Sequence, residues 1–323
     1  MKKLIALSLL LCLMLTMSLT IQAEGEPRRV GIAQFANHPS LDNCREGFLQ
    51  GLREAGYEDG KNIQVEYQNA QADMGLAAII ASSFVDNGFD LICAIATPMA
   101  VTAVNTADGK IPVVFSAVSA PVEAGLAYLD RPFDGNATGT SDLIPVRDQL
   151  ALIRAFQPEA KALGLLYTVG EINSQVQAGL YRDAAAEFGF DIIEATITSS
   201  ADIALVLPDL ISKVDCISML TDNTVVQHLE VVLDQAQAAK LPVYGSEIEQ
   251  VKSGCLATVG IDYVVLGRKT GEIAARVLSG EAADGIPFEV LTEFAHYYNS
   301  GTLQELGMTL PEALAGSLNE IKE

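Results

Sequence analysis

Polar side chains recur directly after the short apolar runs of this sequence, and they are the residues best suited to bind a small molecule. Hydroxyl and amide groups follow the runs in the N-terminal half, and the corresponding positions of the C-terminal half add carboxylates. An aromatic ring also ends a run in each half. The candidate contacts are Phe35, His38, Thr97, Pro98, Ser116, Asp142, Tyr167, Asn173, Ser174, Asp222, Asn223, Ser246 and Glu247.

Several of these candidates also have a purely structural interpretation. Thr97-Pro98 is typical of a helix start, with Thr97 as N-cap and Pro98 at the first helical position, although a ligand carboxylate could lie on the same helix end. Asp222 could cap a helix beginning near Thr224 or pair with a ligand ammonium group. Phe35 and Tyr167 could stack on an apolar or aromatic ligand, or lie in the core.

Motifs of common enzymes are missing from the sequence. It contains no Gly-x-Ser-x-Gly elbow, no phosphate loop ending in Gly-Lys and no His-Glu-x-x-His, and Ala33-Gln34-Phe35-Ala36 stands where a dinucleotide-binding protein has Gly-x-Gly-x-x-Gly. His38 has no second histidine at ligand spacing, and the cysteines after residue 23 form no Cys-x-x-Cys pair. We therefore predict no catalytic residue, no metal site and no cofactor, and we leave the disulfide state of those cysteines open: Cys44, Cys93, Cys216 and Cys255.

The first residues have the three parts of a secretory signal peptide: basic Lys2 and Lys3, an apolar stretch from Leu4 to Leu19, and the small residue Ala23. We expect cleavage near Ala23 and export to the periplasm or the extracellular face of the membrane. The apolar stretch is weak for a spanning helix, which needs about 20 apolar residues. Cys12 lacks the small preceding residues that lipid attachment requires, so we expect no lipid anchor.

Length and charge narrow the class of protein. The chain has 323 residues, and the part that follows residue 23 suits two domains of about 150 residues each. Acidic residues outnumber basic ones by 41 to 20, for a net charge of -21. This excess argues against a nucleic-acid partner, because the phosphate backbone attracts basic surfaces.

Apolar runs alternate with helical patterns along most of the chain, which predicts an α/β fold with parallel central sheets. Pro132–Ser141 is rich in Gly, Asn, Thr and Ser, and we place the first crossover between two halves there. Later strand-like runs at Leu256–Ile261 and Phe288–Tyr298 exceed what the second half needs, so we expect a three-segment hinge. The predicted division is 1–23 signal peptide, 27–140 plus 256–284 N-terminal lobe, and 141–255 plus 285–318 C-terminal lobe, with the ligand cleft between the lobes.

Phrases spread over nearly the whole chain resemble one family. They are Gly31–Phe35, Val65–Gln71, Ala94–Pro98, Gly139–Asp142, Asn173–Gln177, Thr221–Val225 and Ala257–Tyr263. In these phrases the chain resembles the tryptophan/tyrosine-type substrate-binding proteins of ABC transporters, within the type I periplasmic-binding-protein fold. The resemblance implies two Rossmann-like lobes that close on a small solute and deliver it to a membrane permease driven by a cytoplasmic ATPase.

The same resemblance implies an amino acid as the ligand, with tryptophan, tyrosine and phenylalanine as aromatic candidates. By analogy the first lobe contributes Thr97 and Ser116, the second lobe contributes Asn173, Ser174, Asp222, Ser246 and Glu247, and Asp142 either touches ligand or organises the crossover. We expect the ammonium to pair with Asp222 or Glu247, and the protein to be a monomer. The alternative is a ligand-sensing domain of a signalling system with the same fold, which the gene neighbourhood would decide.

Overall fold

Strand pairing divides the chain into two α/β lobes. The computed structural model describes residues 26–129 and 131–322, so the predicted signal peptide lies outside the described residues. The strands are β1 Arg28–Gln34, β2 Ile63–Asn69, β3 Leu91–Ile95, β4 Val113–Ser116, β5 Ala137–Ser141, β6 Ala162–Thr168, β7 Asp191–Ile197, β8 Cys216–Ser218, β9 Val243–Tyr244, β10 Ala257–Gly260, β11 Glu289–Val290, β12 Ala295–Asn299 and β13 Asn319–Ile321. The α-helices are α1 Pro39–Glu54, α2 Met74–Asp86, α3 Thr97–Ala107, α4 Val146–Phe156, α5 Ile172–Ala185, α6 Ile203–Ile211, α7 Asn223–Gln227, α8 Leu229–Ala238, α9 Ile248–Lys252, α10 Tyr263–Leu278 and α11 Ser300–Glu305.

The first lobe is a six-stranded parallel sheet in the order β2-β1-β3-β4-β5-β11. Helices α1 and α10 pack together against it, and α2 and α3 form a second packed pair. The central strands β3 and β4 are buried along their whole length, as expected for strands covered on both faces. The carboxyl ends of these parallel strands meet at one edge, where the polar loops of the sequence lie.

The second lobe repeats this arrangement with an antiparallel addition. Strands pair in parallel in the order β7-β6-β8-β9, and β9 continues to β10 through hydrogen bonds that include Leu256 N to Val243 O at 2.7 Å. Strand β12 then pairs antiparallel with β10 and parallel with β13. The prediction of two α/β lobes with parallel central sheets is confirmed.

The chain passes between the lobes in three places, as predicted, but the boundaries differ from the predicted ones. The crossovers follow β5, β10 and β11. Segment 257–260 pairs in the second sheet and segment 289–290 in the first, so the predicted boundaries at 256 and 285 are wrong by a few residues. An apolar run shows that a strand forms, but it carries no information about which sheet that strand joins.

The segment Pro132–Ser141 is not a linker throughout. Residues 137–141 form the buried strand β5, and the crossover follows at 142–145. Small residues are required here because a Cβ on Gly139 would lie 1.9 Å from the Phe115 carbonyl oxygen. The small and hydroxylated residues that suggested a linker therefore serve a close strand contact.

Several predicted elements are shifted or split. The predicted strand Phe288–Tyr298 consists of β11 and β12, which belong to different sheets. The helix expected to begin near Thr224 is interrupted at His228, whose φ of -118° and ψ of 28° are not helical. Helix α3 begins at Thr97 itself, and the N-cap is Ala96, whose carbonyl accepts a hydrogen bond from Ala100 N at 2.9 Å. The prediction of Thr97 as N-cap is therefore wrong.

The cysteines of the described chain are buried and unpaired: Cys44, Cys93, Cys216 and Cys255. Burial raises the pKa of each of these thiols. A neutral buried thiol behaves as a small apolar side chain, so these residues contribute to packing. Within residues 26–129 and 131–322, no helix is both long enough and apolar enough to cross a bilayer.

Candidate functional site

A small, partly open cavity lies where the two lobes face each other. Residues of the first lobe, the crossovers and the second lobe all contribute to its wall. Among the sequence-predicted residues, the structure brings these to the cavity: His38, Asp142, Asn173, Asn223 and Glu247. Eight residues outside the predicted set complete the wall: Ser40, Leu41, Ala117, Ser119, Thr221, Val226, Gln250 and Tyr263.

His38 directly precedes helix α1, and its side chain accepts no hydrogen bond from the first backbone N–H groups of that helix. Neither ring nitrogen has a hydrogen-bond partner among the described residues, although the side chain is buried. Burial lowers the pKa of His38 to about 4, and two groups oppose this shift: the Asn223 side chain, which lies close to the ring but not in hydrogen-bond geometry, and the Asp42 carboxylate. The imidazole is therefore neutral at pH 7 and offers the cavity one donor and one acceptor.

Asp142 lies in the first crossover, and its hydrogen bonds link that crossover to the start of α10 and to the first lobe. Its Oδ2 accepts a hydrogen bond from the Tyr263 hydroxyl at 2.7 Å, and its Oδ1 accepts one from Ser119 Oγ at 2.9 Å. Burial raises the pKa of Asp142, while the hydrogen bonds from Tyr263 and Ser119 oppose that rise. Because a carboxylate can accept about four hydrogen bonds, Asp142 retains acceptor capacity for a ligand.

Glu247 follows β9 and caps the short helix α9. Its carboxylate accepts hydrogen bonds from Glu249 N at 2.6 Å and from Gln250 N at 2.9 Å. Burial raises the pKa of Glu247 to about 7 despite these donors. The neighbouring Ser246 does not reach the cavity, because its Oγ accepts a hydrogen bond from Gln250 Nε2 at 2.9 Å.

Asn173 and Asn223 form the wall on the second lobe. Asn173 lies in the first turn of α5, and its Oδ1 is buried without a partner. Asn223 is the first residue of α7. Both amides donate to Glu171, a buried carboxylate that does not itself line the cavity. Burial and the nearby Asp222 carboxylate raise the pKa of Glu171.

Asp222 acts as a helix cap rather than as a cavity residue. Its Oδ1 accepts hydrogen bonds from Val225 N and Thr168 Oγ1, both at 2.9 Å. Its Oδ2 accepts from Thr168 N and Ser174 Oγ, both at 2.7 Å. These four donors occupy the acceptor positions of the carboxylate. The hydrogen bond to Asp222 also turns the Ser174 hydroxyl away from the cavity. The capping interpretation of Asp222 is confirmed.

The remaining candidates lie elsewhere. Phe35 is in the apolar core of the first lobe, and Thr97 and Pro98 are buried in the first turn of α3. Ser116 Oγ contacts Thr270 Oγ1 on α10 at 2.9 Å. Tyr167 donates from its hydroxyl to Glu194 on the outer strand β7 at 2.7 Å. The structure does not bring these side chains to the cavity.

Some of the additional cavity residues also lie in loops that follow strands. Ala117 and Ser119 follow β4, and Thr221 follows β8. The sequence indicated these loops, but it did not show which of their side chains face the cavity. Tyr263 begins α10, and only the pairing of that helix with α1 brings its hydroxyl to Asp142.

Hydrogen bonds connect the lobes around the cavity. Ser119 Oγ lies 3.0 Å from Thr221 Oγ1, and Gln177 Nε2 donates to Ser119 Oγ at 3.1 Å. At the rim, Asn43 Nδ2 donates to Glu249 Oε1 at 3.0 Å, and Asn37 N donates to Gln227 Oε1 at 3.0 Å. The lobes are therefore in direct contact.

The chemistry of this wall is that of binding. Among the described residues, no hydroxyl is hydrogen-bonded to His38, as a nucleophile activated by a base would be. Buried carboxylates, amide oxygens and a neutral imidazole instead offer mainly acceptors, which suit a ligand rich in donors.

Comparisons with known proteins agree with this geometry. The profile of the family described as ABC transporter substrate binding protein matches residues 29–322. A tyrosine-binding protein from Clostridioides difficile (strain R20291) is 40% identical over 282 residues, which are 87% of this chain and 81% of the relative.

Two solved structures share the fold at appreciable identity. The ABC domain from Streptococcus pneumoniae in complex with L-Trp has a TM-score of 0.88 at 33% identity, covering 91% of this chain and 99% of that one. The ligand-free, open structure of a substrate-binding protein with adhesive properties from Clostridium difficile has a TM-score of 0.68 at 37% identity, with the same coverage. The predicted family is confirmed, as is the expectation of a binding protein rather than an enzyme. This chain belongs to the family of ABC transporter substrate-binding proteins.

Proposed function

We propose that this chain is the extracytoplasmic solute-binding component of an ABC uptake transporter, that it binds an amino acid between its lobes, and that it delivers this solute to a permease. The main support for this binding site is a set of buried polar atoms without hydrogen-bond partners: both ring nitrogens of His38 and Oδ1 of Asn173. Buried polar groups in folded proteins are nearly always hydrogen-bonded. A ligand in the cavity would supply the missing partners.

The ligand ammonium pairs with Asp142 and Glu247 in this proposal. Both carboxylates are buried, line the cavity and keep acceptor positions free. Burial disfavours their ionised form, and an ammonium group restores it by supplying the opposite charge. Asp222, the other carboxylate that the sequence suggested for this role, is occupied by its own lobe.

The proposed ligand class is an aromatic amino acid. One relative is named as a tyrosine-binding protein, and one structural neighbour holds L-Trp. The cavity also has apolar and ring surfaces, from Leu41, Val226 and Tyr263, beside its polar wall. Such surfaces suit an aromatic side chain, whose ring gains most from apolar and edge contacts.

Isothermal titration calorimetry with L-tyrosine, L-tryptophan and L-phenylalanine tests this proposal. We expect saturable binding of at least one of them, and we expect Asp142→Asn to weaken it about thirtyfold or more, since losing one partner of a buried charge pair costs about 2 to 5 kcal/mol. Asp215→Asn is the control, because that carboxylate holds Lys161 N and Ala162 N at the other end of the sheet. Absence of binding for all three amino acids would refute the aromatic ligand class.

Export and delivery are part of the same proposal. We propose that residues 1–23 are removed, that the mature protein is monomeric without a lipid anchor, and that a permease accepts its ligand. Deletion of the gene in its host should reduce uptake of the radiolabelled solute identified by calorimetry. Uptake at the parental rate would show that this chain does not supply a transporter.

A further inference from the structure

Glu171 is a buried carboxylate that lies behind the cavity wall and accepts an unusual number of hydrogen bonds. Its Oε2 accepts from Asn223 N at 2.9 Å, from Asn223 Nδ2 at 2.6 Å and from Asn173 Nδ2 at 3.1 Å. Its Oε1 accepts from Thr224 N and Thr224 Oγ1, both at 3.0 Å. Two of its partners, Asn173 and Asn223, are the amides of the second-lobe wall.

This arrangement determines which end of each amide faces the cavity. A primary amide has a donor end and an acceptor end. Asn173 Nδ2 is held by Glu171 and also donates to the Thr221 carbonyl at 2.8 Å, so its Oδ1 is the end left without a partner. A half-turn of that amide would place Oδ1 against two acceptors. Asn223 is held by its Nδ2 in the same way, which leaves its Oδ1 unengaged by Glu171.

We propose that Glu171 is a positioning residue for ligand recognition: by holding the NH2 ends of Asn173 and Asn223, it presents their oxygens to the cavity and makes this wall select a ligand ammonium group. The proposal rests on the proposed function and deepens it, because it states which part of the ligand the second lobe recognises. Together with Asp142 and Glu247, the wall then offers acceptors to each N–H of an ammonium.

The test compares two ligands that differ only in the ammonium group: L-tyrosine and 3-(4-hydroxyphenyl)propionate. Glu171→Met keeps the length of the side chain but removes both acceptor oxygens, so the amides of Asn173 and Asn223 are free to turn their NH2 ends toward the cavity. We expect the affinity for L-tyrosine to fall at least tenfold and the affinity for the propionate to stay within about threefold, so that the preference for the amino acid drops. These fold-changes correspond to the loss of a charge-assisted hydrogen bond.

If Glu171 had only a structural role, the variant would lose affinity for both ligands by the same factor. An unchanged preference for L-tyrosine would therefore overturn the proposal. Asn173→Ala removes one of the oriented oxygens without altering Glu171 and should lower the same preference; if it does not, the proposal is also wrong. Asp215→Asn, a carboxylate with backbone partners far from the cavity, should leave affinity and preference unchanged.

A measurement without ligand separates this inference from the proposed function. The side-chain amide resonances of Asn173 and Asn223 in nitrogen-15 NMR spectra should shift in Glu171→Met, because both amides lose their carboxylate acceptor. Unshifted resonances would overturn the inference whatever the protein binds. Wild-type protein that binds no aromatic amino acid would contradict the proposed function, while the NMR result would still decide the role of Glu171.

Discussion

Four buried carboxylates surround the cavity region, and their hydrogen-bond partners decide what each can do. Asp222 and Glu171 accept hydrogen bonds from N–H and O–H groups of the second lobe. These bonds fix the loops that carry Asn173 and Asn223. Asp142 and Glu247 accept fewer hydrogen bonds and line the cavity. A carboxylate beside a cavity is thus a ligand contact only if its own lobe leaves acceptors free.

The raised pKa of Glu247 predicts a pH-dependent stability of the ligand-free protein. With a folded-state pKa of about 7 and an ordinary value of 4.5, the native state retains a proton that the unfolded state has lost between these values. The contribution of Glu247 to stability should therefore fall as pH rises through this window, by up to about 1.4 kcal/mol per pH unit. Urea unfolding at pH 5, 6, 7 and 8 should show less loss of stability with rising pH, relative to the wild type, in Glu247→Gln.

The matched control is Glu187→Gln. Arg147 lowers the pKa of the exposed Glu187 carboxyl, so its contribution is lost only at pH values below its ordinary range. That variant should keep the wild-type slope between pH 5 and pH 8. If Glu247→Gln also keeps the wild-type slope, Glu247 is ionised in the folded protein and the burial argument fails.

At the scale of elements, helices α1 and α10 position the first-lobe side of the cavity. They run parallel, with Cys44 opposite Gly267 and Phe48 opposite Gly271, so their N-terminal ends lie at the same edge of the lobe. His38 precedes one helix, and Tyr263 begins the other. The backbones are in direct contact: a Cβ on Gly267 would lie 2.0 Å from the Cys44 carbonyl oxygen, and one on Gly47 would lie 2.1 Å from that of Val264.

Gly267→Ala should destabilise the protein by about 2 kcal/mol, because the added methyl group must push two helix backbones apart. Gly179→Ala is the control within a helix, since its Cβ would meet only Arg182 Nη2 at 3.6 Å. It should be neutral or stabilise the protein by up to about 1 kcal/mol through helix propensity. Thermal or urea unfolding measures both, and equal stability of the two variants would contradict the close helix contact.

At the scale of the whole molecule, the lobes are held together by polar contacts rather than by a continuous apolar interface. The contacts include the rim pair Asn43 and Glu249 and the central group of Ser119, Thr221 and Gln177. The chain superimposes better on the L-Trp complex than on the open, ligand-free structure of a relative with higher identity. From both observations we propose that the described arrangement is a closed state of a clamp, whose cavity of about 20 Å³ must widen to admit an amino acid.

Asn43→Asp tests closure away from the cavity. It places a carboxylate against Glu249, which should disfavour the closed state and weaken the affinity for L-tyrosine about fivefold to tenfold, as expected for like charges near a protein surface. The double variant Asn43→Asp with Glu249→Gln should recover most of that affinity. Small-angle scattering should show compaction of the wild type on adding L-tyrosine, and identical profiles at saturation would contradict the clamp.

The sequence alone predicted the alternation of strands and helices and the class of protein. Alternating apolar runs and helical patterns depend on local periodicity, which a single segment displays by itself, and they predicted an α/β fold with parallel central sheets. The family resemblance also rested on contiguous phrases. Strand β5 was not predicted, because its small residues resemble those of a linker. Only the close contact of Gly139 with Phe115 shows why a small residue is needed there.

Tertiary structure alone decided which strand-end residues reach the cavity. Asp222 and Glu247 both follow strands and both cap short helices, yet only Glu247 lines the cavity, because Thr168 and Ser174 surround the other carboxylate. Tyr263 and Asp142 are far apart in sequence and meet only where two crossovers run side by side. Side-chain direction and long-range pairing arise from the packing of whole elements, so no local pattern could have encoded them.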